Sequence, residues 1–358
     1  MDPRIRQHAE IIAEHSTDIA AGDHVIIRSQ QAGRDLVVAL HEAIGERGAR
    51  PATTWLDGRA HRAYLRAVDP DALDTPEHVL AFVETADVII DIKATHNAYR
   101  TSDVPPETGT AFGKAHQPVQ EAQSETRWVF TQFPTPANAQ QAEMSTAAYE
   151  DFVWNAINRD WAAQREHQQQ LVDILDAGEE VHIQTGDTDI RMRMDDNPVK
   201  NDAGEVNLPG GEVYTAPVPD SVAGTVAFDK PVLVRGQAVD GVRLTFENGE
   251  VVDFTAERNE DSLDALLDTD EGARRVGELG IGMNRGIDRF TANMLFDEKM
   301  GDTIHLALGN AYKDTVSEDG ERNESAIHQD MLVDVSEDAT IEVDGEVVQR
   351  DGTFVFEE

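Results

Sequence analysis

Five side chains in the second half of the chain could together hold metal ions: Glu212, Glu278, His305, His328 and Asp330. Two imidazoles and three carboxylates, in a chain that has no cysteine, make a donor set for hard or borderline divalent cations. A two-metal hydrolytic site needs this mix. One carboxylate can bridge the ions, the other groups complete each sphere, and a water held there becomes a nucleophile near neutral pH. Three of the five fall in Met294–Asp330, MLFDEKMGDTIHLALGNAYKDTVSEDGERNESAIHQD, which also supplies Tyr312.

The local contexts say how each group would be carried. In TIHLALG, strand alternation puts Ile304, Leu306 and Leu308 on one face and His305, Ala307 and Gly309 on the other. The small residues beside the imidazole leave room for something else. His328 and Asp330 are two apart, so on a strand they point the same way and can hold the same ion; apolar Met331, Leu332 and Val333 follow. Glu212 lies in NLPGGEVYTAP, where Pro209 and two glycines predict a tight, exposed turn with the carboxylate at its exit. Glu278 lies in EGARRVGELGIGMN, read as a helix end running into an apolar, Gly-rich segment, where an unpaired charge is costly. Each residue also has a plainer reading: a solvated turn glutamate, a helix-end acid paired with Arg274 or Arg275, a satisfied core histidine, a packing tyrosine at 312.

Composition decides how far short motifs can be believed. The chain has 358 residues, 69 acidic and 30 basic, for a net charge of -39. With 12 histidines and so many acids, roughly two His-x-acid hits arise by chance. There are two, His8-Ala9-Glu10 and His328-Gln329-Asp330, so only company and context distinguish them. The acids are dispersed and lysine is scarce. Such a surface self-repels in dilute salt and is tolerated when screened, which points to a cytoplasmic protein of a salt-loving organism. No basic patch exists to release phosphate counterions, so nucleic acid is excluded as a partner. No run approaches the ~20 apolar residues of a membrane span, and the charged start MDPRIRQHAEIIAEH does not read as a signal peptide.

The elements that must position these residues change character along the chain. Residues 5–20 place Ile5, Ile12 and Ile19 near one helical face. HVIIRS (24–29) reads as a strand, and Asp35–Arg47 as a helix stopped by Gly48. A strand follows within 49–58. Ala86–Lys93 is a near-continuous apolar run, as in a parallel strand buried on both faces, and RWVFTQF (127–133) is another strand. Residues 145–176 read as helical. From 179 onward, short alternating strands with Asn-Gly, Asp-Gly and Gly-Asp turns dominate, interrupted by one helical segment over Asp261–Gly277. The expectation is an α/β domain over 1–178 and an α+β domain over 179–358 rich in antiparallel strands, the latter carrying the site.

The stretches NLPGGEVYTAP, DTDEGARRVGELGIG, LFDEKMGDTIHLALGNAY and AIHQDMLVD, in this order and spacing, resemble the thermophilic-type metalloaminopeptidases, the aminopeptidase T and aminopeptidase S type. A fainter likeness runs through GDHVIIRS. The resemblance implies two divalent metal ions (zinc, cobalt, manganese or magnesium), peptide substrates with a free N-terminus, and a homodimer. By matching position it makes Glu212, Glu278, His305, His328 and Asp330 metal ligands, with Glu278 as bridge and catalytic group, and Tyr312 as oxyanion stabiliser. Glu298 matches a further family carboxylate, at a longer spacing from His305. Three other readings stay open on the residues alone: a hydrolase of non-peptide amides, a binding module with a structural metal, and a chance gathering of acids.

Overall fold

In a computed structural model the protein is described over residues 1–97, 99–234 and 237–357. It forms two compact units, Met1–Arg159 with Gly204–Gly210, and Asp160–Ala203 with Gly211–Glu358.

The first unit is the expected α/β layer. Its five strands run in the order Arg50–Trp55, His24–Ser29, Val88–Lys93, Arg127–Gln132 and Asn207–Leu208, every neighbouring pair parallel. The apolar run at 88–92 lies at the centre, with Val88, Ile89 and Ile90 fully buried. The helix Arg34–Glu46 buries Leu36, Val37, Leu40 and Ile44, as the spacing predicts. The N-terminal helix Pro3–Ile11 continues into a wider π-type turn, Ile12–Ser16.

This unit also disposes of one chance motif. His8 is fully buried, and its Nε2–H donates to Thr131 Oγ1 at 2.8 Å, while that hydroxyl donates to the Leu208 carbonyl at 2.7 Å. The ring edge meets Trp154 at 5.5 Å. Glu10, two residues on, instead turns outward to Arg47. His8 is therefore a core histidine.

The second unit holds an eight-stranded antiparallel sheet, a two-stranded ribbon, and a five-stranded antiparallel sheet. The order in the last is His328–Asp334, Thr303–Gly309, Val276–Gly282, Glu212–Thr215, Lys200–Asp202. Alternation divides its two faces by chemistry. Val213, Leu279, Ile281, Ile304, Leu306, Leu308, Met331 and Val333 enter one apolar core with residues of the eight-stranded sheet. Burying a large apolar side chain contributes about 1.5–3 kcal/mol. A one-residue slip would send all of these to the other face, so their burial locks the register.

Two expectations shift. The texture changes at 179, but the compact units divide earlier, between Arg159 and Asp160. The physical reason is the helix Trp161–Asp176. Its Leu171, Val172 and Leu175 pack into the core of the second unit, and the buried Gln168 amide donates to the carbonyls of Asp202 and Glu212. The helical segment anticipated over 261–277 is shorter, Glu260–Leu267, followed by a 3-10 turn at Glu271–Arg274 and a strand from Val276.

Burial pushes the His8 pKa down to about 3, so the fold takes this ring neutral. In the unfolded chain it protonates near pH 6.5. The fold thus loses stability as pH falls from about 6.5 towards 3. Relative to His8→Gln, the natural chain is expected to lose roughly 2–3 kcal/mol more between pH 7 and 4.5. Urea unfolding midpoints in high salt read the difference, and parallel pH curves for the two proteins would refute it.

Candidate metal centre

The polar face of the five-stranded sheet is built by cross-strand neighbours. Ala307 pairs with Glu278 on one side and Asp330 on the other, so two carboxylates flank a methyl group. His305 pairs with Gly280, and Gly280 with Tyr214. Gly282 pairs with Glu212, and Gly309 with His328. Large polar groups therefore alternate with glycine or alanine across the strands. The small residues provide the space into which the imidazoles and carboxylates lean. At Gly280 this is a strict requirement, because a Cβ there would lie 2.0 Å from His305 Cε1.

Both glutamates sit differently from their sequence reading. Glu278 is in the middle of the strand Val276–Gly282, not at a helix end, and is 5% exposed. The arginines suggested as its partners are taken: Arg274 pairs with Asp268 and Arg275 with Glu250. Glu212 opens the strand Glu212–Thr215 and is 6% exposed, so the Pro-Gly-Gly turn before it is not a solvated one. Gly211 has φ 115°, and a side chain there would strike Asn284.

The side chains converge. His305 Nε2–H donates to Glu278 Oε1 at 3.0 Å, and Glu212 Oε2 lies 3.7 Å from the same nitrogen. Ligand atoms of Glu278, His305 and Asp330 all fall within 4.8 Å of one another. His328 stands beside them, with Nε2 3.4 Å from Asp330 Oδ1. Its Nδ1–H donates to the Asn310 carbonyl at 2.8 Å, which leaves Nε2 as the free ring acceptor when the ring is neutral. Tyr312 is half-exposed, with its ring 4.8 Å from that of His328. Glu298 follows the short helix Met294–Asp297 and reaches the group through Lys299. The fully buried Lys299 ammonium contacts Glu298 Oε1 and lies 3.0 Å from Glu212 Oε1. All six carboxylates and imidazoles singled out in the sequence thus lie in one neighbourhood.

Electrostatics mark the same place. Burial raises the pKa of Glu212 and Glu278 against the opposing pull of Lys299 and His305. Burial alone would lower His305, but the hydrogen bond to Glu278 and the charges of Glu212, Glu278 and Asp330 push it up to about 10. His328 is likewise carried against burial to about 9, chiefly by Asp330. Asp330 is held below the usual carboxylate range despite burial, by His328 and then His305. Lys299 stays far above its ordinary value because Glu212 and Glu298 outweigh its burial.

A divalent cation fits this donor set. Glu212 Oε2, Glu278 Oε2 and His305 Nδ1 are buried without a hydrogen-bond partner. Such groups are expensive unless something satisfies them, and carboxylate oxygens are natural cation donors. Sequence reasoning missed three supporting residues. Lys299 carries no sequence signal that marks it apart from the other basic residues. Gln168 carries no chemical signal beyond helical spacing. Asp297 is buried and accepts from Thr291 N, Thr291 Oγ1 and Asn293 N, fixing the loop before Glu298. Burial raises its pKa to about 6.

By architecture this is a parallel α/β unit joined to an antiparallel unit, one of whose sheet faces gathers buried donors suited to a divalent cation. The chain belongs to the thermophilic metalloprotease (M29) family, whose model matches residues 1–357, and membership of a metalloprotease family implies a divalent metal cofactor. It is 31% identical to aminopeptidase 2 of Geobacillus stearothermophilus over 275 residues, which span 64% of this chain and 65% of that one, just under two thirds of its length. It is 26% identical to aminopeptidase AmpS of Bacillus subtilis (strain 168), over 99% of this chain and 98% of the other. The solved structure of wild-type AmpT from Thermus thermophilus shares the fold, with TM-score 0.87 and 24% identity over 99% of both chains.

Gly280→Ala tests the arrangement without reference to activity. Its methyl group must displace the His305 ring, a form of overpacking that costs about 1–3 kcal/mol. Urea unfolding of the metal-free protein should show a midpoint lowered accordingly. An unchanged midpoint would mean that the ring does not lie over residue 280.

Proposed function

We propose that the protein is a metal-dependent aminopeptidase that hydrolyses the N-terminal residue from peptides. The observation that carries this reading is the Glu278–His305–Asp330 group, in which Glu278 and His305 are buried and Asp330 is half-buried, with acceptor oxygens left unsatisfied beside it. The family and its aminopeptidase relatives support the reaction class.

Glu278, His305 and Asp330 are the residues proposed to hold the ion, with His328 and Glu212 next to them. A bound divalent cation supplies Lewis acidity and a nucleophilic water at neutral pH. The chain's own groups do the remaining work. Glu278, whose Oε2 has no hydrogen-bond partner, would take the proton given up by the attacking water and pass it to the leaving amine as the amide C–N bond breaks. Burial and the nearby carboxylates Glu278 and Asp330 raise the Tyr312 pKa, so its phenol keeps its proton and can donate it in a hydrogen bond to the developing oxyanion. The dense negative charge on this sheet face favours the cationic end of a peptide. A two-ion centre is the form the family resemblance implies. A homodimer, a cytoplasmic location and a salt-rich setting complete the proposal. They rest on the resemblance and on the dispersed net charge of -39. Among the described residues no helix is long and apolar enough to cross a membrane.

On aminoacyl chromogenic amides in high salt, the protein is expected to lose activity on chelation and regain it when single divalent metals are returned. Glu278→Gln should lower kcat by about 10²–10⁴-fold with the fold intact. Wild-type turnover by that variant would refute the assignment. Tyr312→Phe should lower kcat by about 10²–10³-fold while KM changes little; a change confined to KM would make Tyr312 a binding residue instead.

A further inference from the structure

The reaction outlined above uses residues of the second unit alone, yet the first unit carries a cavity of 790 Å³. It lies at the carboxyl ends of the strands Arg50–Trp55, His24–Ser29 and Val88–Lys93, among the loops that follow them. The strand order explains the place. From His24–Ser29 the chain crosses to Arg50–Trp55 on one side, and from Val88–Lys93 to Arg127–Gln132 on the other. Where two such connections part, a parallel sheet leaves a crevice. Gln30, in its lining, ties the parting segments together: its Oε1 accepts from Ala94 N at 2.6 Å.

The lining is positive in a chain of net charge -39. Its arginines are Arg59, Arg62 and Arg100, and both of its carboxylates are engaged. Asp57 caps the helix Gly58–Ala67, accepting from Arg59 N and Ala60 N, so that helix end is already filled. Asp103 pairs with Arg62 and Arg66. Arg59 and Arg100 are left over. Among the described residues neither guanidinium makes an ion pair or a hydrogen bond. Arg100 reaches across to the helix start, where a Cβ on Gly58 would lie 2.9 Å from its Cδ and 3.4 Å from its Nε. Its charge is felt by Lys93 and His61, each held below its ordinary pKa first by burial and then by Arg100. Trp55 and Tyr99 line the same cavity and are exposed.

We propose that this crevice binds a small organic anion, a carboxylate or phosphate carried on a flat apolar body. The inference stands apart from the metal-centre reading, because all the residues it uses belong to the first unit. The guanidinium fork matches either acid group through paired hydrogen bonds. The field of so acidic a chain repels anions, so attraction has to come from local cations without acid partners, which Arg59 and Arg100 are. Trp55 and Tyr99 supply apolar surface for the body of the ligand. Small-molecule sites span about 300–1,000 Å³, and the cavity falls within that range.

Calorimetric titration of the full chain as purified tests this, in the lowest salt that keeps it folded. The probes are phenyl phosphate, 3-phenylpropionate and the neutral 3-phenylpropionamide. At least one acid is expected to bind, the tighter of the two naming the acid group, and the amide is not. Arg59→Gln and Arg100→Gln should each raise Kd about 10–100-fold with the circular dichroism spectrum unchanged. Both side chains are exposed; should one variant fail to fold, the other decides. An affinity that the variants leave unchanged would put the anion elsewhere, the metal centre included, and overturn the inference. So would the amide binding as well as the acids, or neither acid binding at millimolar concentration. Cleavage of aminoacyl amides is a separate readout, so failure here leaves the aminopeptidase reading standing.

Discussion

Four carboxylates, the buried Glu212 and Glu278 and the half-buried Glu298 and Asp330, crowd beside one face of a sheet. A buried carboxylate is tolerated only with a cation or hydrogen-bond donors at hand, and here the donors are Lys299, His305 and His328. The remainder of the second unit answers that constraint. His305 Nε2–H donates to Glu278 Oε1 at 3.0 Å, and that hydrogen bond with the surrounding carboxylates raises the His305 pKa against its burial.

Sheet geometry makes the gathering possible. Adjacent strands bring Asp330, Ala307 and Glu278 into one cross-strand row, although the residues are far apart in the chain. Strand alternation sends the leucines, isoleucines and valines of the same strands into the opposite core. The apolar face thus provides the free energy that holds the polar face in register. Glycine and alanine opposite the larger groups keep that face from filling itself. Outside the sheet, Gln168 fixes the backbone of the Glu212 strand from the helix Trp161–Asp176, and Asp297 fixes the loop that leads into Glu298 and Lys299.

The first unit is organised on another principle. Its central parallel strand, Val88–Lys93, buries apolar residues on both faces, and its buried histidine is a neutral hydrogen-bond donor rather than a charged member of a cluster. The comparison of His8 with His328 is instructive. Each begins a His-x-acid triplet, and burial alone does not separate their roles. At His8 the acid points away to a surface arginine and desolvation lowers the pKa. At His328 the acid is within 3.4 Å and carries the pKa upward.

The α/β and α+β halves were legible in the sequence because periodicity is a local property. Continuous apolar runs give parallel strands buried on both faces, and alternating runs give strands with two unlike faces. The face that carries His305 and the shared direction of His328 and Asp330 follow from alternation alone, and both stand as read. The family motifs drew Glu212, Glu278 and Glu298 to the same place. What the sequence could not supply was the environment of each charge. Glu278 read as a helix end because Gly277 and the preceding arginines break the strand signal; the pairing with Thr303–Gly309 makes it a strand residue. Glu212 read as exposed because Pro-Gly-Gly is a turn signal wherever it lies. Lys299 carried no signal at all, since its partners are its immediate neighbour and a glutamate nearly ninety residues upstream. The choice between a solvated charge and a buried one depends on which distant segments pack over it, and only the tertiary structure makes that choice.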